Sequence, residues 1–240
     1  LADGTITVTA DVSDLAGNPA TQDTTVINKD TTLPTLAIDD LLMGDDRVNN
    51  SEQGAVVISG TSDAEGQTVR LTIAGSTTIN DSVIVTGGVW THTQDISSLA
   101  DGTITVTADV SDLAGNAATR VPPNNPRTLV KDTDPPSIAI GVIEDDDIVS
   151  NSEQAAVVIS GTAETKDNQP VTLTITGPIT TISATPTVMD SVWTHTEDIS
   201  GMADGDIIIT ADVTNQIGNV AIQATDTLVK DIVPPSIAID

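Results

Sequence analysis

Residues 103–110 read TITVTADV, and this stretch decides the fold class. Ile104, Val106, Ala108 and Val110 alternate with three threonines and Asp109. Successive side chains of an extended strand point to opposite faces, so strict alternation predicts a strand with one buried and one solvated face. The stretch therefore predicts a β-strand of an antiparallel sheet whose inner face is small and aliphatic.

The same stretch lies in a longer segment that recurs along the chain. Residues 1–18 and 99–116 both read LADGTITVTADVSDLAGN, and residues 202–219 read MADGDIIITADVTNQIGN, a diverged third copy. The period is about one hundred residues, which is the size of a whole domain rather than of a solenoid repeat. The sequence therefore predicts an array of similar domains.

Each predicted boundary falls at a Lys-Asp pair that is followed by one or two prolines. Proline fixes its own backbone angle and offers no donor to a sheet, so it suits a connection between domains. The domain prediction divides the chain into the C-terminal part of one repeat, two complete repeats and the first strand of a fourth. Their ranges are 1–29, 30–131, 132–230 and 231–240.

Alternating runs and turn residues predict about seven strands in the first complete repeat. Their predicted ranges are 36–40, 54–60, 68–75, 77–86, 88–95, 102–111 and 117–131. No amphipathic helical pattern of useful length is present. Seven short strands in about 100 residues are typical of an immunoglobulin-like sandwich, so the predicted fold class is all-β, with tandem immunoglobulin-like antiparallel β-sandwiches.

The composition of the chain limits the classes of partner and of activity that it can have. Eight basic and 35 acidic residues give the 240-residue chain a net charge of −27. Nucleic acid and anionic membranes need a basic surface, so both are excluded as partners. The chain has no cysteine, and no apolar run is long enough for membrane insertion. No phosphate-binding or nucleophile motif is present, so no enzymatic activity is expected.

Acidic loops offer the chemistry of a metal site. Clusters of aspartate, asparagine and glutamate without histidine or cysteine suit Ca²⁺, which binds six to eight oxygen ligands. An up-and-down strand order would bring the loops of one domain, the linker aspartate and a hairpin of the next domain to a shared junction. The alternative is a solvated acidic surface that keeps a long fibre soluble. The candidate ligands are Asp30, Asp45, Asp46, Glu52, Asp101, Asp112, Asn116, Asp132, Asp134, Asp145, Asp146, Asp147, Glu153, Asp204, Asn219 and Asp231.

The two tryptophans and two histidines occupy equivalent positions in the two complete repeats. Trp90 and His92 share one face of a predicted strand, as do Trp193 and His195. We expect the tryptophans to anchor the cores. Because the repeat supplies no further metal or catalytic partners, we expect each histidine to be partly buried and hydrogen-bonded near a sheet edge.

Four recurring motifs resemble the bacterial immunoglobulin-like repeats of giant, calcium-dependent surface adhesins with repeats-in-toxin C-termini. They are the Asp-Thr-x-x-Pro linker (30–34, 132–136), the acidic loop (45–52, 146–153), the Gly-x-Trp strand (88–90) and the Leu-Ala-Asp-Gly…Gly-Asn hairpin (99–116). Ser191 departs from the pattern because it stands where the first repeat has the glycine before valine and tryptophan. The resemblance implies calcium at domain junctions, an extracellular location on the bacterial surface and export by type I secretion.

The resemblance also implies a function. The chain would be a segment of an extender, a calcium-stiffened rod that projects an adhesive tip for cell adhesion or biofilm formation. Its partners would be calcium ions and neighbouring repeats of the same chain. Two alternatives stay open. Single sandwiches could bind a glycan or a protein through their loops, or copies of the chain could associate with one another into filaments.

Overall fold

A computed structural model describes residues 1–40, 42–120, 124–166 and 168–238. The regular structure in these ranges is β-strand, apart from a short 3₁₀ turn at Leu42–Gly44. None of the helical segments described has the length or apolar character to cross a bilayer. The chain divides into two compact units, Leu1–Val48 with Glu52–Lys131, and Asn49–Ser51 with Asp132–Asp240.

The two units contain the following strands in their described residues. In the first unit they are β1 Gly4–Ala10, β2 Asp23–Lys29, β3 Leu36–Ile38, β4 Arg47–Val48, β5 Val56–Ser62, β6 Thr68–Ala74, β7 Thr78–Ile84, β8 Val89–Gln94, β9 Gly102–Asp109 and β10 Arg127–Lys131. In the second unit they are β11 Ile138–Ile140, β12 Ile148–Val149, β13 Val157–Ala163, β14 Val171–Thr176, β15 Thr181–Ala184, β16 Val192–Glu197, β17 Gly205–Val213 and β18 Ala224–Lys230.

Each complete repeat is a sandwich of two sheets. In the first unit the strand orders are β4-β10-β9-β6-β7 and β3-β5-β8. The second unit repeats the pattern as β12-β18-β17-β14-β15 and β11-β13-β16. Apolar side chains of both sheets form one buried cluster in each repeat. The predicted all-β class of immunoglobulin-like sandwiches is confirmed.

The first predicted strand is divided between the two sheets. β3 pairs antiparallel with β5, whereas β4 pairs parallel with β10. The chain therefore changes sheets between β3 and β4, and in that connection Met43 and Asp46 adopt positive φ angles. Switching lets one short segment close an edge of both sheets, which leaves less unpaired backbone for other chains to join.

Burial in β9 follows the alternation in its sequence. Ile104, Val106 and Ala108 are fully buried. The identical residues of β1 meet a different environment, because in the described part of the chain β1 and β2 form a two-stranded sheet of their own. Val8, the equivalent of Val106, is 47% exposed. The sequence therefore sets which side chains share a face, and the sheet packed against that face sets whether they are buried.

The last strand of the first repeat is shorter than predicted. The prediction covered residues 117–131, of which 121–123 lie outside the described residues, and β10 begins at Arg127. Asn125 is fully buried beside β9. Its side chain donates to the carbonyl of Ala108 and accepts from the Ala108 amide, at 2.8 and 3.2 Å. In the second repeat a backbone pair, Ala211 with Ala224, makes the equivalent ladder contact. In the first repeat, the side-chain amide of Asn125 thus makes the hydrogen bonds to β9 that backbone groups of β18 make to β17 in the second.

Candidate functional site

A lysine–aspartate pair marks the end of the last strand in the first copy. Lys29 at the end of β2 lies 2.6 Å from the carboxylate of Asp3. The same carboxylate accepts hydrogen bonds from the Thr31 amide and from the hydroxyls of Thr31 and Thr32. The lysine and the Thr31 donors hold the pKa of Asp3 well below its usual range. Asp3 therefore connects the end of β2 to the linker, because its carboxylate binds the Lys29 ammonium and the amide and hydroxyl donors of the threonines that follow.

The equivalent lysines of the complete repeats are buried. Lys131 is 4% exposed and donates to the carbonyl of Leu99 and to Asp101, at 2.8 and 3.0 Å. Lys230 is 1% exposed and donates to the carbonyls of Ile199, Ser200 and Met202. Sequence reasoning missed these lysines. A usable signal existed, because Lys131 continues the inward-facing series of Leu129 at a spacing of two residues.

The third copy of this pair has a different arrangement. The carbonyls of Ile199, Ser200 and Met202 are the acceptors of Lys230. Asp204, the equivalent of Asp3 and Asp101, accepts at 3.5 Å from the amide of Ile232. The aspartate thus faces the linker in this copy as Asp3 does in the first.

The carboxylates of the acidic loop after β3 already accept hydrogen bonds from the protein. Asp46 accepts from the Leu42 amide and forms an ion pair with Arg127 at the start of β10. Asp45 accepts from the Arg47 amide. In the second repeat Asp147 and Asp146 accept from the amides of Ile143 and Ile148, and Asp145 has a positive φ. Asp226 stands where the first repeat has Arg127, so the second loop lacks that ion pair.

Glu52 and Glu153 lie in the turn that follows β4 and β12, and each accepts a hydrogen bond from a backbone amide of that turn. Glu153 accepts from the Ser150 amide at 2.8 Å, and this bond with that of the Ser150 side chain lowers the pKa of Glu153. The carbonyl of Glu52 accepts from the Ala55 amide in the equivalent turn. β4 ends beside the last residue of β10, because Val48 pairs with Lys131. This register places the start of the turn at the end of the sandwich where the repeat finishes.

The three linker aspartates form the same small turn. The carboxylates of Asp30, Asp132 and Asp231 each accept from the amide two residues later, at Thr32, Asp134 and Val233. Such turns are typical of aspartate in connections. The residue two positions after each linker aspartate differs among the copies. The first copy has the hydroxyl of Thr32, the second has the carboxylate of Asp134, and the third has the apolar Val233.

The hairpin tips lie against the linker at the start of each repeat. Asn116 donates to the carbonyl of Asp30 at 3.2 Å and to the Asp112 carboxylate at 2.9 Å. The hydrogen bond from the Asn116 side chain, followed by that from its backbone amide, lowers the pKa of Asp112. In the second repeat Asn219 donates to the carbonyl of Asp132 at 2.8 Å. Asn215, which replaces Asp112, donates to the carbonyl of Asp134 at 3.4 Å.

The aromatic and histidine positions agree with expectation. Trp90 and Trp193 are both buried in the cores. His92 and His195 are partly buried on β8 and β16, which are edge strands. The His92 ring lies 3.2 Å from Gln94 and 3.4 Å from Asp81, and the His195 ring lies 2.8 Å from Glu197.

Acid should weaken the first complete repeat, and Glu65 provides the test. Its carboxylate accepts from the amides of Gly87 and Gly88, each at 3.0 Å, and these bonds lower the pKa of Glu65. A folded-state pKa below the unfolded value means that the unfolded chain binds more protons. The contribution is therefore present above the unfolded pKa and is lost as pH falls through the folded pKa. We expect Glu65→Gln to reduce the slope of melting temperature against pH between about pH 3 and 5. Equal slopes for both proteins in thermal melts would contradict this.

Comparison with known proteins gives the family of the first complete repeat. Residues 39–124 match the model of the bacterial Ig-like domain. This part of the chain is similar to the bacterial Ig-like domain. The second repeat has the same strand order, so both units are described below as Ig-like repeats. No curated protein matches the chain in sequence.

Two solved structures resemble nearly the whole chain. A 1.5-MDa bacterial ice-binding adhesin is 24% identical, with a TM-score of 0.50 over 97% of this chain and 76% of that one. A Ca²⁺-stabilised adhesin from an Antarctic bacterium is 27% identical, with a TM-score of 0.51 over 95% of this chain. The match spans 57% of that adhesin chain. The resemblance to the Ig-like repeats of large adhesins is confirmed.

Proposed function

We propose that this chain is a segment of the extender of a large bacterial surface adhesin. The observation that carries the proposal is the recurrence of a whole Ig-like sandwich in tandem, together with the similarity to the Antarctic adhesin. That adhesin is described as one that helps its bacterium reach out and bind ice. Each sandwich would add to the length of the extender, and its role would be to increase the distance between the cell and the adhesive tip. The rod would be exported by type I secretion and hold an adhesive tip away from the cell, for adhesion or biofilm formation.

Calcium at the junction around Asp132 is the second part of the proposal. In the first copy, the carboxylate of Asp3 pairs with Lys29 and accepts hydrogen bonds from the Thr31 amide and from the hydroxyls of Thr31 and Thr32. By sequence, Asp101 replaces Asp3 and Asp134 replaces Thr32 in the middle copy. Asp134 thus adds a carboxylate to the linker where the first copy has a hydroxyl donor, and the added negative charge favours binding of a cation. Ca²⁺ prefers oxygen ligands, and a group of carboxylates without nitrogen or sulfur donors matches that preference. Such a group would hold the ion by its negative charge and by coordination through oxygen.

The copies should therefore differ in calcium dependence. Val233 occupies the third copy, where an apolar side chain adds no ligand. We propose Asp101, Asp132 and Asp134 as the main ligands. The remaining acidic positions are proposed as weaker, additional oxygen donors. Where they accept from local amides, those bonds compete with a cation for the same lone pairs.

A thermal melt in chelator and in a few millimolar calcium tests this proposal. A ligand bound only by the folded state raises the midpoint, and an extracellular site with millimolar affinity should add about 5 °C or more. We expect Asp134→Thr, which copies the first linker, to lose most of that shift. Asp206→Thr, which removes one exposed charge from β17, is the matched control and should keep it.

Two results would count against the calcium proposal. One is a wild-type melt that is the same in chelator and in calcium. The other is an equal loss of the calcium shift in both variants, which would indicate general charge screening rather than a site. In either case the carboxylates would be features of a soluble, acidic surface, and the extender role would stand on the tandem fold alone.

A further inference from the structure

A groove opens on the first complete repeat, where β6 begins and β9 ends. Its volume is about 580 Å³, which lies within the range of ligand pockets in proteins. All of its lining residues belong to the first unit. Most of the lining is polar, and the polar residues are Gln67, Thr68, Arg70, Asp109, Ser111 and Asp112. Such a lining suits a ligand that is itself rich in hydrogen-bonding groups.

The two carboxylates of the groove are already bound by the protein. Asp109 accepts from the Arg120 guanidinium through both of its oxygens, and the Nε–Oδ1 distance is 2.8 Å. Asp112 accepts from the backbone amide and from the side chain of Asn116, at 2.8 and 2.9 Å. These bonds use the lone pairs that would otherwise face a ligand. The hydrogen-bonding capacity that remains in the groove is therefore mainly that of donors.

Arg70 supplies most of these donors. It is exposed on β6 and stands directly opposite Asp109 on β9. Because Arg120 occupies both oxygens of that aspartate, Arg70 is left beside a carboxylate whose charge is already neutralised. Among the described residues, the Arg70 guanidinium takes part in no ion pair. The groove thus contains a cation that is available to an anionic group.

The arginine beside Asp109 is particular to this repeat. Gln22 and Gln223 stand at the position of Arg120 in the other two copies, and each donates to the aspartate that is equivalent to Asp109. A neutral glutamine therefore satisfies this contact without adding charge. Only the guanidinium of Arg120 cancels the negative charge of the aspartate, which would otherwise repel an anion from the groove.

The position of Arg70 also differs between the two complete repeats. Thr172 stands opposite Asp212 in the second repeat, as Arg70 stands opposite Asp109 in the first. The same sandwich therefore forms with a small neutral residue at this position, so the strand pairing does not require an arginine. Two guanidinium groups at one groove are instead suited to binding an anionic ligand.

We propose that this groove binds a uronic-acid unit of an acidic polysaccharide, with the carboxylate of the sugar on Arg70. A planar guanidinium matches a carboxylate through two parallel N–H···O bonds. The side chains of Gln67, Thr68 and Ser111 would bind the ring hydroxyls. Among the described residues the apolar lining is one valine and two alanines, which offers little to the side chains of an acidic peptide. The inference goes beyond the extender role and uses none of the proposed calcium ligands.

A titration of the whole chain in chelator tests the class of ligand. The probes are a hexamer of galacturonic acid, the same hexamer with its carboxylates methyl-esterified, and hexaglutamate. We expect the uronate to shift the amide resonances of residues 67–70 and 109–112, and to bind about tenfold more tightly than either other probe. No shift with the uronate, or equal binding by the ester or by the peptide, would overturn the proposal. Because calcium is absent, none of these outcomes bears on the calcium site or on the extender role.

Arg70→Thr, which copies the second repeat, tests the residue. We expect it to weaken binding of the uronate hexamer by about tenfold or more, since a charged pair of hydrogen bonds is lost. Arg70→Lys keeps the charge but not the paired donors, and should fall between this variant and the wild type. Arg47→Thr is the matched control, because it removes one positive charge from β4 of the same sheet, outside the groove. Equal losses in Arg70→Thr and Arg47→Thr would show that net charge alone sets binding, and would refute the site.

Discussion

Gly161→Ala should abolish stable folding of the second repeat. Gly161 on β13 lies opposite Trp193 on β16. A methyl group built on it would overlap the carbonyl oxygen of Ala139 and lie 2.6 Å from the buried indole. A backbone carbonyl and a fully packed ring cannot both move aside, so we expect a loss of about 3–5 kcal/mol. Calorimetry should show the transition of this repeat at a much lower temperature or not at all.

The same pairing recurs in the first repeat, where Gly60 lies opposite Trp90. Gly60→Ala should therefore destabilise that repeat by a similar amount. Gly201→Ala is the matched control, because nothing lies within 4 Å of its Cβ and its φ is not positive. If Gly161→Ala melted like Gly201→Ala, the close packing of the indole over the glycine would be refuted.

Lys230→Met should cost the second repeat about 2–4 kcal/mol. The Lys230 ammonium donates to three carbonyls of the turn that precedes β17, at 3.1, 3.3 and 2.6 Å. Methionine keeps most of the packing of the aliphatic stem but offers no donor. The carbonyls of Ile199 and Met202 would remain buried without that partner, which is more costly than the hydrogen bonds are stabilising. Urea unfolding of the variant and the wild type measures the difference.

Lys166→Met provides the control for loss of one positive charge, since Lys166 is exposed in the same unit. We expect its midpoint in urea to stay close to that of the wild type. Similar losses in the two variants would show that net charge matters, rather than the hydrogen bonds of the buried ammonium. Lys131→Met should resemble Lys230→Met, and it also removes the ion-pair partner of Asp101.

Much of the fold could be predicted because alternation is a local property of the sequence. The series Ile104, Val106 and Ala108 gave the strand and its inner face correctly. The division of the first strand into β3 and β4 was not predictable in the same way. It depends on which strand lies beside each half, β5 or β10, and those partners are distant in sequence. Asn125 was hidden for the same reason, because its partner is the backbone of Ala108.

The acidic positions were visible in the sequence, but their partners were not. Asp46 looked like an open ligand until Arg127, far along the chain, was found beside it. Asp3 and Asp101 share one sequence context. Asp3, however, accepts from the Thr32 hydroxyl, and the residue equivalent to Thr32 in the next copy is Asp134. A carboxylate becomes a cation ligand or a hydrogen-bond acceptor according to the groups around it, and spacing does not report those groups.

The sequence by itself determined the all-β class, the repeat period and the inward faces of the strands. These properties follow from the two-residue period of a strand and from self-similarity along the chain. The tertiary structure alone decided that Lys131 and Lys230 are buried. It also decided that Val106 is buried while the identical Val8 is exposed. Burial and partnership are set by chain segments far apart in sequence, so the same residues in the same local order can meet different surroundings.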